Sequence, residues 1–96
     1  MKKNVYIKEK VTPSVSKTYA ISHTGFNSMG LFQDPTFFTD SLNKAKAYVT
    51  RVLHRHGKVN IDKDIRQFLR DAQANKKASI YKKDGIYYFN IIMQSI

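Results

Sequence analysis

The dipeptide Asp84-Gly85 constrains this chain more than any other feature, because it divides two runs rich in β-branched and aromatic residues. Ala78 to Lys83 precede it and Ile86 to Met93 follow it. Such a pair between alternating apolar positions predicts a type I′ hairpin, the turn whose twist matches that of its own strands. A two-residue loop also sets a register: Lys83 faces Ile86, Lys82 faces Tyr87, Tyr81 faces Tyr88, Ile80 faces Phe89 and Ala78 faces Ile91. Side chains alternate across a strand, so Ala78, Ile80, Tyr87, Phe89, Ile91 and Met93 form one face, expected to be core. Ser79, Tyr81, Lys83, Ile86, Tyr88, Asn90 and Ile92 form the other.

Upstream, two helical patterns precede this hairpin. Leu42, Ala45, Tyr48, Val49, Val52, Leu53 and His56 fall on one stripe, with Thr39, Asp40 or Ser41 as candidate caps and Gly57 as a stop. Ile61, Ile65, Phe68, Leu69 and Ala72 mark a second helix, running from near Asn60 or Asp62 to about Asn75, with Asp62 and Asp64 suited to its positive end. Nearer the start, Val5, Ile7, Glu9 and Val11 alternate with polar positions, as do Tyr19, Ile21 and His23, which predicts a first hairpin across Thr12-Pro13-Ser14. Gly25 to Thr39 is the least regular part. Either a short strand lies near Leu31-Phe32 or Phe37-Phe38, or this segment is a working loop. Its four phenylalanines at 26, 32, 37 and 38 are read as a lid over the sheet, each adding roughly 1.5 to 3 kcal/mol when buried.

A length of 96 residues with 42% apolar content fits a single domain, 1–96, around one core. The order ββααββ then predicts an α+β fold: a sheet of four or five antiparallel strands with two helices packed on one face.

Charge narrows the partner. Seventeen Lys and Arg against seven Asp and Glu give a net charge of +10, and Glu9 is the only glutamate. A small folded body with that excess points to a polyanionic partner. The absence of cysteine excludes a disulfide framework, a thiol nucleophile and a thiolate metal site. Lysines interrupt any apolar signal-peptide core after Met1-Lys2-Lys3, and no run reaches the length of a membrane span, so a soluble cytoplasmic protein is expected.

The most one-sided interval runs from Ser41 to Ile61, where Lys44, Lys46, Arg51, Arg55 and Lys58 stand without an acid. At 100° per residue, Lys44, Arg51 and Arg55 gather on one helical stripe beside Tyr48, suited to lie along a phosphate backbone. On the second helix Arg66 and Arg70 repel one another at i, i+4 unless Asp62 pairs with Arg66. In the hairpin, Tyr81 and Tyr88 with Lys82 and Lys83 make an aromatic pair rimmed by charge, able to stack bases, although cross-strand tyrosines also serve as ordinary stabilisers.

Catalytic and metal readings fail on residue type. His54 and His56 point to different sides of a helix and have no nearby acid or thiol, so no metal is expected, and no cofactor motif is present. Gly25 and Gly30 have the spacing of a phosphate-binding loop, but Leu31-Phe32 stands where Lys and Ser or Thr are required. No paired carboxylates or nucleophile constellation suggests an enzyme.

The element order, with Ser41-Leu42-Asn43-Lys44-Ala45-Lys46 opening a helix, resembles the start of small phage and mobile-element proteins, among them integrase arm-binding domains and anti-CRISPR proteins. Two functions follow as expectations. One is a small nucleic-acid-binding protein that contacts DNA or RNA through its backbone. The other is an inhibitor or adaptor that seats on an acidic protein surface of a host nucleoprotein complex, with loop aromatics as anchors.

Overall fold

The computed structural model describes residues 18–96, so the expected strand from Val5 to Val11 lies outside the described residues, while the Tyr19–His23 run expected to pair with it has the 37–39 segment, with Asp34, along one edge and the 87–95 segment along the other. Five strands and two helices follow in the order β1 (Tyr19–Asn27), β2 (Gly30–Gln33), β3 (Phe37–Thr39), α1 (Leu42–Arg55), α2 (Asp62–Asn75), β4 (Lys77–Asp84) and β5 (Tyr87–Ser95). The chain is α+β with an antiparallel sheet. The least regular stretch holds the end of β1, then β2 and β3, so both places offered for a short strand, Leu31-Phe32 and Phe37-Phe38, are strands.

Strands pair in the order β2, β1, β5, β4, with β3 also on β1. β2 covers Thr24 to Asn27 of β1 while β3 covers Tyr19 to Ile21, and Asp34, Pro35 and Thr36 stand between them against Ser22 and His23. Three residues opposite two is a β-bulge, sited where Pro35 has no N–H to give the ladder. Asp34 still donates its backbone N–H to the His23 carbonyl at 3.0 Å. Its side chain is thereby kept on the same sheet face as His23.

Tyr19, Ile21 and His23 of β1, Phe89, Ile91 and Met93 of β5, and Ala78 and Ile80 of β4 are buried on one face. They join Ala45, Val49, Val52 and Leu53 of α1 and Ile61, Ile65, Phe68 and Ala72 in and before α2, forming a single core. Both helices therefore cover the same side of the sheet. No helix among the described residues is long and apolar enough to cross a membrane.

The hairpin register differs from that predicted. Asp84 pairs with Tyr87, Lys83 with Tyr88, Tyr81 with Asn90 and Ile80 with Ile91, a shift of two residues. Gly85 takes φ 64°, and among the described non-glycine residues only Asn60 and Lys76 have positive φ. The loop is therefore Gly85-Ile86, with the single left-handed position of a type II′ turn falling on glycine; a type I′ turn over Asp84-Gly85 would have put Asp84 there as well. A two-residue slip preserves the faces, so the core assignment stands except at the tip. Tyr87, expected to be core, closes the turn and is 45% exposed.

Candidate nucleic-acid interface

α1 begins where Ser41 Oγ accepts the Lys44 N–H at 3.2 Å, while Thr39 Oγ1 accepts the Ser41 N–H at 3.0 Å. The N-cap is thus Ser41, one of the three candidates, and no acid occupies the first turn. Beyond it Lys44, Lys46, Arg51, His54 and Arg55 are all exposed. Tertiary structure does bring one acid to this helix: Arg55 Nη2 donates to Asp34 Oδ2 at 3.3 Å. Lys44, Arg51 and Lys58 have no ion-pair partner among the described residues. Tyr48 stacks on Phe37 with centroids 4.6 Å apart and planes 2° from parallel, so one ring face is taken. Burial pushes its phenol above the usual range.

On α2, Arg66 and Arg70 are exposed, and the anticipated Asp62–Arg66 ion pair does not form among the described residues. Gln67 links the charges instead, donating to Asp71 Oδ1 at 2.8 Å and accepting from Arg70 Nη1 at 3.4 Å. Neither arginine lines the cleft at the other end of α1.

That cleft arises from how α1 stops. Gly57, at φ 75°, allows its own N–H to reach the His54 carbonyl at 2.9 Å and the Lys58 N–H to reach the Leu53 carbonyl at 3.0 Å. These two bonds define a Schellman motif. It leaves His56 lying flat on Phe89, with centroids 3.9 Å apart and planes 8° from parallel, and places Lys58 at the rim of a concavity of about 170 Å³. Lys82, Lys83, Tyr87 and Tyr88 of the hairpin line its other side.

Gly25 makes room for the floor. It stands between Phe32 on β2 and Phe89 on β5, and a Cβ there would run into the Tyr88 backbone carbonyl oxygen and meet the Phe32 ring at 2.6 Å. Phe32 covers this gap and packs edge-on to His23 at 4.9 Å. The glycine read as part of an irregular loop is a strand position where one ring replaces a missing side chain.

Behind the floor runs a polar relay. His23, only 3% exposed, has Nδ1 at 2.9 Å from Asp34 Oδ2. A carboxylate only accepts, so His23 Nδ1 carries a proton and donates. The Nε2 atoms of His23 and His56 lie 2.8 Å apart, which requires one to donate and the other to accept. The His23 hydrogen bond, with help from Arg55, holds the Asp34 carboxyl below its ordinary value against the effect of burial. Burial, and then the nearby positive charge of His23, Arg55 and Lys58, lowers the pKa of His56.

The predicted site residues therefore fall into three groups. Lys44, Tyr48, Arg51 and Arg55 share α1; Lys58 and Lys82 meet at the cleft, which Lys83 and Tyr88 border from the far-face register they share with Tyr81; Arg66 and Arg70 stay on α2. Tyr81 and Tyr88 are diagonal rather than opposed, with rings 6.0 Å apart. Sequence reasoning missed His23, Asp34, His56 and Tyr87 as site residues. A histidine on the apolar side of a strand, and another ending a helix, were the available signals, but their meeting across 33 positions was not. No protein-family model matches the chain, and no curated protein or solved structure is significantly similar to it.

Proposed function

We propose that this protein binds nucleic acid through the phosphate backbone, using the exposed side of α1. One observation carries the reading: Lys44 and Arg51 project from one stripe of a helix without an acid of its own, and neither has an ion-pair partner among the described residues, Asp34 answering only Arg55 beside them. Unanswered like charge on one surface favours an anion that supplies many negative groups in a row. Arginine forks suit phosphate oxygens, and such contacts bind without reading sequence. Neither a cofactor nor catalysis enters this reading.

The test is binding of duplex and single-stranded oligonucleotides to the full chain over a range of salt. The association constant is expected to fall with a log–log slope of about 0.9 per phosphate contacted on duplex DNA. The double variant Lys44→Glu/Arg51→Glu is expected to abolish binding with the fold retained. Arg55 is left alone because a glutamate there would face Asp34. Undetectable binding at low salt, or binding indifferent to salt, overturns the proposal.

A second reading, an inhibitor or adaptor on a host nucleoprotein complex, has its own supporting observation. Met29, Leu31 and Phe38 are 94%, 78% and 60% exposed along the β2–β3 side. Leu31 and Phe38 pair with Phe26 and Ala20, on the sheet face away from the helices. One stoichiometric protein retained after nuclease treatment, and lost in Leu31→Ser/Phe38→Ser, would favour this reading.

A further inference from the structure

We infer that the cleft between the end of α1 and the β4–β5 hairpin takes one unpaired base of a single strand, with its flanking phosphates on Lys58 and Lys82. This inference rests on the backbone-binding reading and adds to it a second site and a preference for strand state.

Size is the first argument. At about 170 Å³ the concavity is smaller than the roughly 300 Å³ at which ordinary small-molecule pockets begin, so it suits one ring of a larger partner. Its wall is the second. On β5 the residues on the helix side are buried at Phe89, Ile91 and Met93, yet Tyr87 is 45% exposed, because the helices stop short of the hairpin tip. Tyr87 stands beyond the last β1–β5 pair, and there, at the end of the sheet, its ring meets that of Phe26 from the far-face positions, with centroids 5.9 Å apart and planes 28° from parallel, which steadies it as a platform at the cleft's edge. Such a platform stacks any base, because every base has a π-face.

Charge is the third argument. Lys58 and Lys82 line this space with only one carboxylate, that of Asp84, and neither has an ion-pair partner among the described residues, while Lys83 borders it from the far-face register. An acidic peptide would satisfy the amines but leave the platform unused. A base with a phosphate on either side uses both. Bases in a duplex are already stacked and paired, so only an unpaired one enters without the cost of being flipped out.

The experiment uses the full chain and a single-stranded thymidine oligomer about a dozen nucleotides long, within the span a small single-strand-binding domain covers. The controls are a duplex and an abasic oligomer of equal length, which keeps the phosphates without bases. The protein has no tryptophan, so Tyr87→Trp supplies one reporter in the cleft. Its fluorescence is expected to be quenched by the thymidine oligomer and by neither control. Tyr87→Ala is expected to weaken binding of the thymidine oligomer about tenfold or more, with Tyr87→Phe restoring it and duplex binding unchanged. If the base-bearing and abasic strands quench alike, or Tyr87→Ala binds the single strand as the parent does, the cleft assignment falls and the backbone reading stands. If no polymer binds at low salt, the backbone reading fails, and this inference fails with it.

Discussion

His56 does three things at once: it ends α1, covers Phe89 and completes the chain from Asp34 through His23. Those roles give it a pH signature. Its pKa is lowered from 6.5 by burial and then by the positive charge of His23, Arg55 and Lys58, with Asp34 opposing. The unfolded chain therefore takes up the proton more readily, so stability is fully present above pH 6.5 and is lost as pH falls from there through the lower folded value. Two protonated imidazoles would also set N–H against N–H across the Nε2 contact. The expected outcome is a melting temperature that declines on acidification below 6.5 in the parent, with a smaller slope in His56→Gln. Asp34, lowered from 3.8, adds a further loss in more acidic solution. Gly25 supplies a second residue-scale prediction. In Gly25→Ala the new methyl would overlap the Tyr88 backbone carbonyl oxygen as well as the Phe32 ring, so a ring shift alone does not relieve it, and the change is expected to cost at least roughly 1 to 3 kcal/mol in chemical denaturation through overpacking. Neither role was legible locally, since each depends on a neighbour from another strand or helix.

Helix ends decide how the elements are set. α1 has a side-chain cap at Ser41, whereas α2 begins at Ile61 without one and ends at Lys76 with φ 63°, a conformation that favours glycine. Two opposite effects follow. Ser41→Ala is expected to cost about 1 kcal/mol, and Lys76→Gly to gain from a few tenths to about 1 kcal/mol. Both are read from the midpoint of urea unfolding at unchanged slope. The helices themselves were legible, because period, cap candidates and Gly57 all lie within a few residues of one another. The β2–β3 bulge was not. Four residues and three residues of strand are too short for alternation to declare itself, and their partner β1 holds them in place.

At the scale of the whole molecule, a net charge of +10 acts on stability and on binding with opposite sign. Added salt screens self-repulsion in the folded protein but displaces it from a phosphate backbone. Raising salt from low to physiological strength is therefore expected to raise the melting temperature while lowering oligonucleotide affinity. Parallel thermal melts and anisotropy titrations check both signs. A shared direction would mean that the excess charge is already answered within the fold. The sequence alone determined the two helices, the C-terminal hairpin and the faces they bury, because periodicity and turn chemistry act over a few residues. Even a two-residue error in register left those faces intact, since the period of a strand is two. Only tertiary structure decided the rest. It brought Asp34 to His23 and Arg55, set His56 on Phe89, and turned Lys58, Lys82 and Tyr87 around one cleft. Those meetings are fixed by how strands and helices pack, and no local signal in a chain records which distant side chains that packing will bring together.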